Sequence, residues 1–79
     1  MKLTKKKMCE QVGTKIREIR ENKGFTMEKF AHESGIDYTQ LSRIELGKIN
    51  TSIYQIYLIA KNLEVPMKDI FSFDNNGVQ

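Results

Sequence analysis

The run from Phe25 to Gly47, FTMEKFAHESGIDYTQLSRIELG, constrains this 79-residue chain more than any other stretch. Two helix-forming segments flank Ser34-Gly35, and so few residues separate them that the connection must be a tight turn. Thr26 is a natural N-cap for the first helix, which runs to about Glu33. Phe25 just before the cap and Phe30 within the helix form a hydrophobic staple. Gly35 can take a left-handed backbone that most residues resist. Asp37 caps the second helix, and Gly47 ends it. Its inward residues, Ile36, Leu41 and Ile44, fall at helical spacing. Such a pair of helices is the unit that sets a helix in the major groove of DNA. The second helix opens with small and polar side chains, from Tyr38 to Arg43, suited to touching something outside the domain.

The flanks read as helix too. Residues 1–7, MKLTKKK, form a basic, flexible arm. From about Met8, apolar residues recur at helical spacing through Val12, Ile16 and Ile19, and Gly24 supplies the stop. Gly13 inside this helix costs about 1 kcal/mol relative to alanine. It either permits close packing or merely softens the first turns. Ser52 with Gln55 reads as a capping box for a fourth helix carrying Ile53, Ile56, Tyr57, Ile59, Ala60 and Leu63. Pro66 opens a short fifth helix, Met67 to about Phe71. No strand alternation or internal repeat is present. The expected fold is all-α: a compact five-helix domain over residues 8–73, with a polar tail at 74–79.

The charge is unevenly placed. Residues 1–23 carry eight Lys/Arg against three Glu, while residues 24–49 and 50–79 are each net −1. A basic N-terminus attracts phosphates, although lysine-rich ends also serve simply as solvated tails. The single cysteine, Cys9, rules out an internal disulfide, and no apolar run approaches the roughly 20 residues of a membrane span. A cytoplasmic setting is expected. One histidine, His32, far from one cysteine makes no metal site, since zinc needs three or four protein ligands. Catalytic triads and phosphate-cradling glycine loops are missing as well. No cofactor is expected, and an enzyme is not the reading.

Taken in order, Gly13, Ile16, Arg17, Arg20, Gly24, Ala31, Gly35, Leu41, Ser42, Ile44, Glu45, Gly47 and Asn50 carry a resemblance. Ser52, Ile59, Ala60, Leu63, Val65 and Ile70-Phe71 complete it. The chain resembles Cro and phage-repressor type helix-turn-helix proteins, the Xre family, from about Val12 to Phe71. The resemblance implies a lambda-repressor-like domain and a sequence-specific, double-stranded-DNA-binding transcriptional regulator. The segment from about Asp37 to Leu46 would be the recognition helix. Homodimers on palindromic operators are implied, with half-sites about 34 Å apart. Two departures stand out. Where many members begin the second helix with Ser/Thr-Gln, this chain has Thr26-Met27. Where proline often precedes Ser52, it has Thr51.

The resemblance assigns roles by position. Thr39, Gln40 and Arg43, with Tyr38, are the candidate base contacts: glutamine pairs with adenine, arginine with guanine, and the threonine methyl with thymine. Thr26, Met27 through its N–H, Lys48, Asn50, Thr51, Ser52 and Arg17 are the candidate phosphate contacts, with Lys15 and Lys5–Lys7 behind them. Glu45 is out of place near phosphates, and the family pattern pairs it with Arg20 as a structural bridge. Tyr54, Leu58 and Phe73 exceed what a small core needs and are the candidate dimer surface. A protein-binding module such as an antitoxin component is the rival function. A restriction–modification controller is one possibility within the regulator class. With no effector domain in the sequence, no small-molecule effector is expected.

Overall fold

The computed structural model describes residues 3–73. Five helices follow one another: α1 (Lys5–Asn22), α2 (Met27–Ser34), α3 (Tyr38–Glu45), α4 (Ile53–Leu63) and α5 (Met67–Ile70). No strand occurs among the described residues. Side chains cap the first four. The hydroxyl of Thr4 accepts from the Lys7 N–H at 3.1 Å, and that of Thr26 from the Lys29 N–H at 3.1 Å. The Asp37 carboxylate accepts from the Gln40 N–H at 3.1 Å, and the Ser52 hydroxyl from the Gln55 N–H at 3.0 Å. Each cap satisfies an amide that the helix itself leaves open and contributes about 1 kcal/mol.

One boundary differs from expectation. α1 begins at Lys5 rather than Met8, because Thr4 provides a cap one turn earlier than the apolar pattern starts. Lys5, Lys6 and Lys7 are therefore the first turn of a helix, not a free arm. The polar tail at 74–79 lies outside the described residues.

All five helices contribute to one core. Val12 and Ile16 come from α1, Phe30 and Ala31 from α2, and Leu41 and Ile44 from α3. Ile36 enters from the turn. Ile56, Ile59, Ala60 and Leu63 come from α4, and Ile70 from α5. Six of these, Ile16, Phe30, Leu41, Ile59, Leu63 and Ile70, are fully enclosed. Burial of each is worth about 1.5–3 kcal/mol relative to exposure. The Phe25 ring meets Phe30 edge-on at 5.4 Å, which fixes the entry into α2.

The turn between α2 and α3 is closed on itself. Gly35 has φ +76° and donates its N–H to the Ala31 carbonyl at 3.1 Å. The Ser34 hydroxyl donates to the same carbonyl and accepts from the Ile36 N–H at 3.3 Å. The Gly35 and Ile36 amides thus both find partners within the turn and the end of α2.

α3 is held between α1 and α2, and glycines set how closely α1 approaches it. A Cβ at Gly13 would overlap the Ile44 and Glu45 carbonyl oxygens and stand 2.8 Å from the Glu45 carbonyl carbon. At Gly47, a Cβ would stand 2.6 Å from the Glu10 Cα. Gly13 is thus a packing residue, and the softening alternative falls away. Alanine at 13 gains helix propensity but cannot fit. We expect Gly13→Ala to lower stability by about 1–3 kcal/mol in urea denaturation. A neutral or stabilising result would show that α1 and α3 can separate freely.

Candidate nucleic-acid interface

The face of α3 opposite its buried residues is built from polar side chains. Leu41, Ile44 and Glu45 point inward. Thr39 and Arg43, one turn apart, share the outward side, with Gln40 on one flank and Tyr38 on the other. All four are exposed, and none of their side chains makes a hydrogen bond or ion pair among the described residues. The expected reading surface is therefore assembled and free. Asp37 starts the helix, so this face begins at its first turn.

The expected Arg20–Glu45 bridge is present, and it is buried. Arg20 Nε donates to Glu45 Oε2 at 2.7 Å, and Nη2 donates to Oε1 at 3.0 Å. Both residues are only 5% exposed. The hydrogen bonds it gives to the Glu45 carboxylate raise the guanidinium pKa above its ordinary value, against the opposing effect of burial. Sequence reasoning missed a third link: Nη1 donates to the Phe25 carbonyl at 2.7 Å. One side chain thus joins the end of α1, the entry to α2 and the end of α3. No residue type signals that contact, because a backbone carbonyl accepts it.

The phosphate candidates separate into groups. Thr26 and Ser52 are exposed N-caps, with helix amides beside them. Lys48 and Asn50 are exposed in the loop between α3 and α4, and Thr51 is half-buried there. The Met27 side chain packs against the core, which leaves its backbone N–H as the only group it can offer outward. Arg17 is exposed but donates to Glu21 at 3.4 Å, and Lys15 pairs with Glu18 at 3.8 Å. Those two cations are partly neutralised where they stand.

The three expected dimer residues do not form one surface. Tyr54 is exposed on α4 and stacks on Tyr57 with ring centroids 5.9 Å apart, while Leu58 is half-buried. Phe73 instead packs back on its own chain, against the core and beside Glu10, Gln11 and Thr14 of α1. Sequence reasoning missed a different apolar feature, a groove of about 360 Å³ between the start of α1, the α3–α4 loop, α4 and α5. Met8, Ile49, Ile53, Met67 and Phe71 line it, and Ile53 is 80% exposed. No local pattern marks it, because its lining is drawn from separate segments of the chain.

His32 is exposed on α2, and Cys9 is half-buried in the groove wall. Among the described residues, no three His, Cys, Asp or Glu gather as metal ligands, and no helix is long and apolar enough to cross a membrane.

Comparison with known proteins agrees with this geometry. A family model described as helix-turn-helix matches residues 16–70. The control protein C.BamHI of Bacillus amyloliquefaciens is 39% identical over 66 residues, covering 82% of this chain and 82% of that protein. An uncharacterized HTH-type transcriptional regulator of Archaeoglobus fulgidus is 36% identical over 62 residues, covering 78% of this chain and 89% of that protein. Among solved structures, the restriction-modification controller protein C.Esp1396I, a tetramer in complex with its natural 35 base-pair operator, superposes with a TM-score of 0.70 at 34% identity. It covers 82% of this chain and 96% of that one.

The buried bridge makes a direct prediction. Glu45→Gln leaves a guanidinium charge enclosed without its counter-charge, and we expect a loss of about 3–5 kcal/mol in urea denaturation. Replacing both partners, Arg20→Met with Glu45→Leu, should recover most of that loss. A single-variant loss below about 1 kcal/mol would mean that the pair behaves as an exposed one.

Proposed function

The chain belongs to the helix-turn-helix family, and on that premise we propose that it is a transcriptional regulator that reads double-stranded DNA with α3, as a homodimer. The observation that carries this reading is the free polar face of Thr39, Gln40 and Arg43 on a helix fixed by a buried ion pair. Gln40 and Arg43 read base edges in the major groove, Thr39 adds a hydroxyl and a methyl, and Tyr38 touches base or backbone. Thr26, the Met27 N–H, Lys48, Asn50, Thr51 and Ser52 position the domain on phosphates, and Arg17 contributes once it leaves Glu21. The similarity to C.BamHI and C.Esp1396I favours a restriction–modification controller over an antitoxin component.

The second copy docks on the groove edged by Met8, Ile53 and Phe71, continued along α4 by Tyr54 and Leu58. Asn50 and Thr51 line the same groove, so a twofold there sets both phosphate loops on one side of the pair. Control in this reading comes from protein concentration through dimerisation, without a small effector.

Two measurements test the proposal. A duplex from the region upstream of the chain's own coding sequence is titrated in gel shifts against unrelated competitor DNA. Gln40→Ala and Arg43→Ala should each lose about 1–3 kcal/mol on the preferred sequence and little on competitor. Equal losses on both sequences would remove α3 as the reading helix. Ile53→Glu should give monomeric mass in sedimentation with the helical ellipticity of the parent, because the side chain is exposed in the single chain. A dimer that survives this change uses another face.

A further inference from the structure

The two connections that flank α3 are held in different ways. The turn before it supplies partners for its own amides at Gly35 and Ile36. The loop after it does not. Lys48 donates its N–H to the Arg43 carbonyl at 2.9 Å, and Ser52 caps α4. Between them, Ile49, Asn50 and Thr51 neither donate nor accept a hydrogen bond, from backbone or side chain, among the described residues. One side chain holds these three residues in place. Ile49 packs against the core from the wall of the apolar groove and is half-buried, while Asn50 is exposed and Thr51 half-buried.

That groove is open in the single chain. Met8, Ile53 and Phe71 along it are exposed, and Ile49 itself is not fully enclosed. A segment with few buried contacts and no hydrogen bonds opens at little free-energy cost, whatever the stability of the domain around it. Yet these residues include two of the phosphate candidates, Asn50 and Thr51. A phosphate contact made from a loose loop must first overcome the entropy of ordering that loop, and ordering the backbone of one residue is enough to lower affinity about tenfold. From Ile49 to Ile53 the sequence runs Ile-Asn-Thr-Ser-Ile. One short segment thus carries groove residues at both ends and phosphate candidates between them. A second copy seated on the groove encloses Ile49 and fixes the loop before DNA arrives.

We propose that dimerisation orders the Ile49–Thr51 loop, so that each copy in a dimer holds one half-site more tightly than a free chain holds the same half-site. Ile49 is the positioning residue: it touches no phosphate and acts through Asn50 and Thr51. This coupling rests on the second copy's seat in the groove and on DNA as the ligand, and it adds a consequence of its own. Two copies on a palindrome gain by engaging two half-sites at once, whatever their loops do. Loop ordering acts within a single half-site, where that gain is absent. By linkage, a half-site bound to one copy favours pairing by the same factor.

The probe is a short duplex carrying one half of the sequence that the chain protects in the upstream duplex, trimmed so that a second copy has no DNA to touch. Its occupancy is followed through a protein series that spans the dimerisation midpoint found by sedimentation. Separate affinities for monomer and dimer should differ by about tenfold per copy, the dimer being tighter, as expected for one loop residue ordered in advance. Thr51→Pro fixes φ inside the loop and removes an N–H that has no partner among the described residues, so it should raise the monomer toward the dimer. Thr51→Val loses the hydroxyl but keeps the loop's freedom, and it should weaken both forms alike without changing their ratio. Ile49→Ala should lower the dimer to the monomer's affinity, and Ile49→Val should restore the difference. Ellipticity at 222 nm checks that each variant is folded. Equal affinities for the parent monomer and dimer overturn the coupling alone, as does a tenfold ratio that both Thr51→Pro and Ile49→Ala leave intact. A parent that protects the upstream sequence but stays monomeric overturns the docking of the second copy and the coupling with it. Protection of no sequence overturns the regulator reading as well.

Discussion

The guanidinium of Arg20 is where the domain's separate pieces become one. It gives two hydrogen bonds to Glu45 and a third to the Phe25 carbonyl, all within a buried space. Charges are costly to bury, and this pair offsets that cost by matching in geometry and sign. Phe25 in turn sets the entry to α2 through its contact with Phe30. The bridge therefore fixes where α3 stands relative to both helices that hold it. A carboxylate at the end of a DNA-reading helix would repel phosphate if it were exposed. Held inward against Arg20, Glu45 presents no charge to the outside and serves the fold.

Most of the architecture was legible because local signals and long-range packing agree. Thr26, Asp37 and Ser52 cap helices where polar residues precede an apolar period, and Gly35 turns where only a left-handed backbone closes the connection. The reading face was legible by subtraction, since Leu41 and Ile44 fix the inward side of a short helix. The failures also have physical reasons. The start of α1 was misplaced because periodicity finds buried faces, and its first turn buries none. Gly13 was ambiguous because a missing side chain carries no signal of what occupies its place. Phe73 reads as an outward residue in the sequence although it packs against the core, since its placement depends on how the chain turns after α5. The groove around Ile53 joins four separate segments and has no local signature.

Electrostatics are divided from recognition in this chain. The segment that contains α2 and α3 is slightly acidic, and the basic charge lies in residues 1–23. The basic charge and the free polar face of α3 thus lie in different parts of the sequence. Arg17 and Lys15 are partly answered by Glu21 and Glu18 on their own helix, whereas the lysines of the first turn are not. The net charge of +3 therefore understates the local field at one end of α1 and overstates it along the middle.

At Gly13 the contact between α1 and α3 is made by backbone, with no side chain in between, and just beyond α3 Gly47 lies against the backbone and Cγ of Glu10. Side chains can adjust to a small misfit by changing rotamer; opposed backbones have no such freedom. A reading helix seated in this way keeps its angle when it meets an imperfect site. Any mismatch of spacing or twist is then taken up by the duplex, whose bending and twisting energies vary with base pairs that no side chain touches. In the proposed dimer, the stiffness of a glycine contact inside the protein would thus become a sequence preference in the stretch of operator between the two copies of α3.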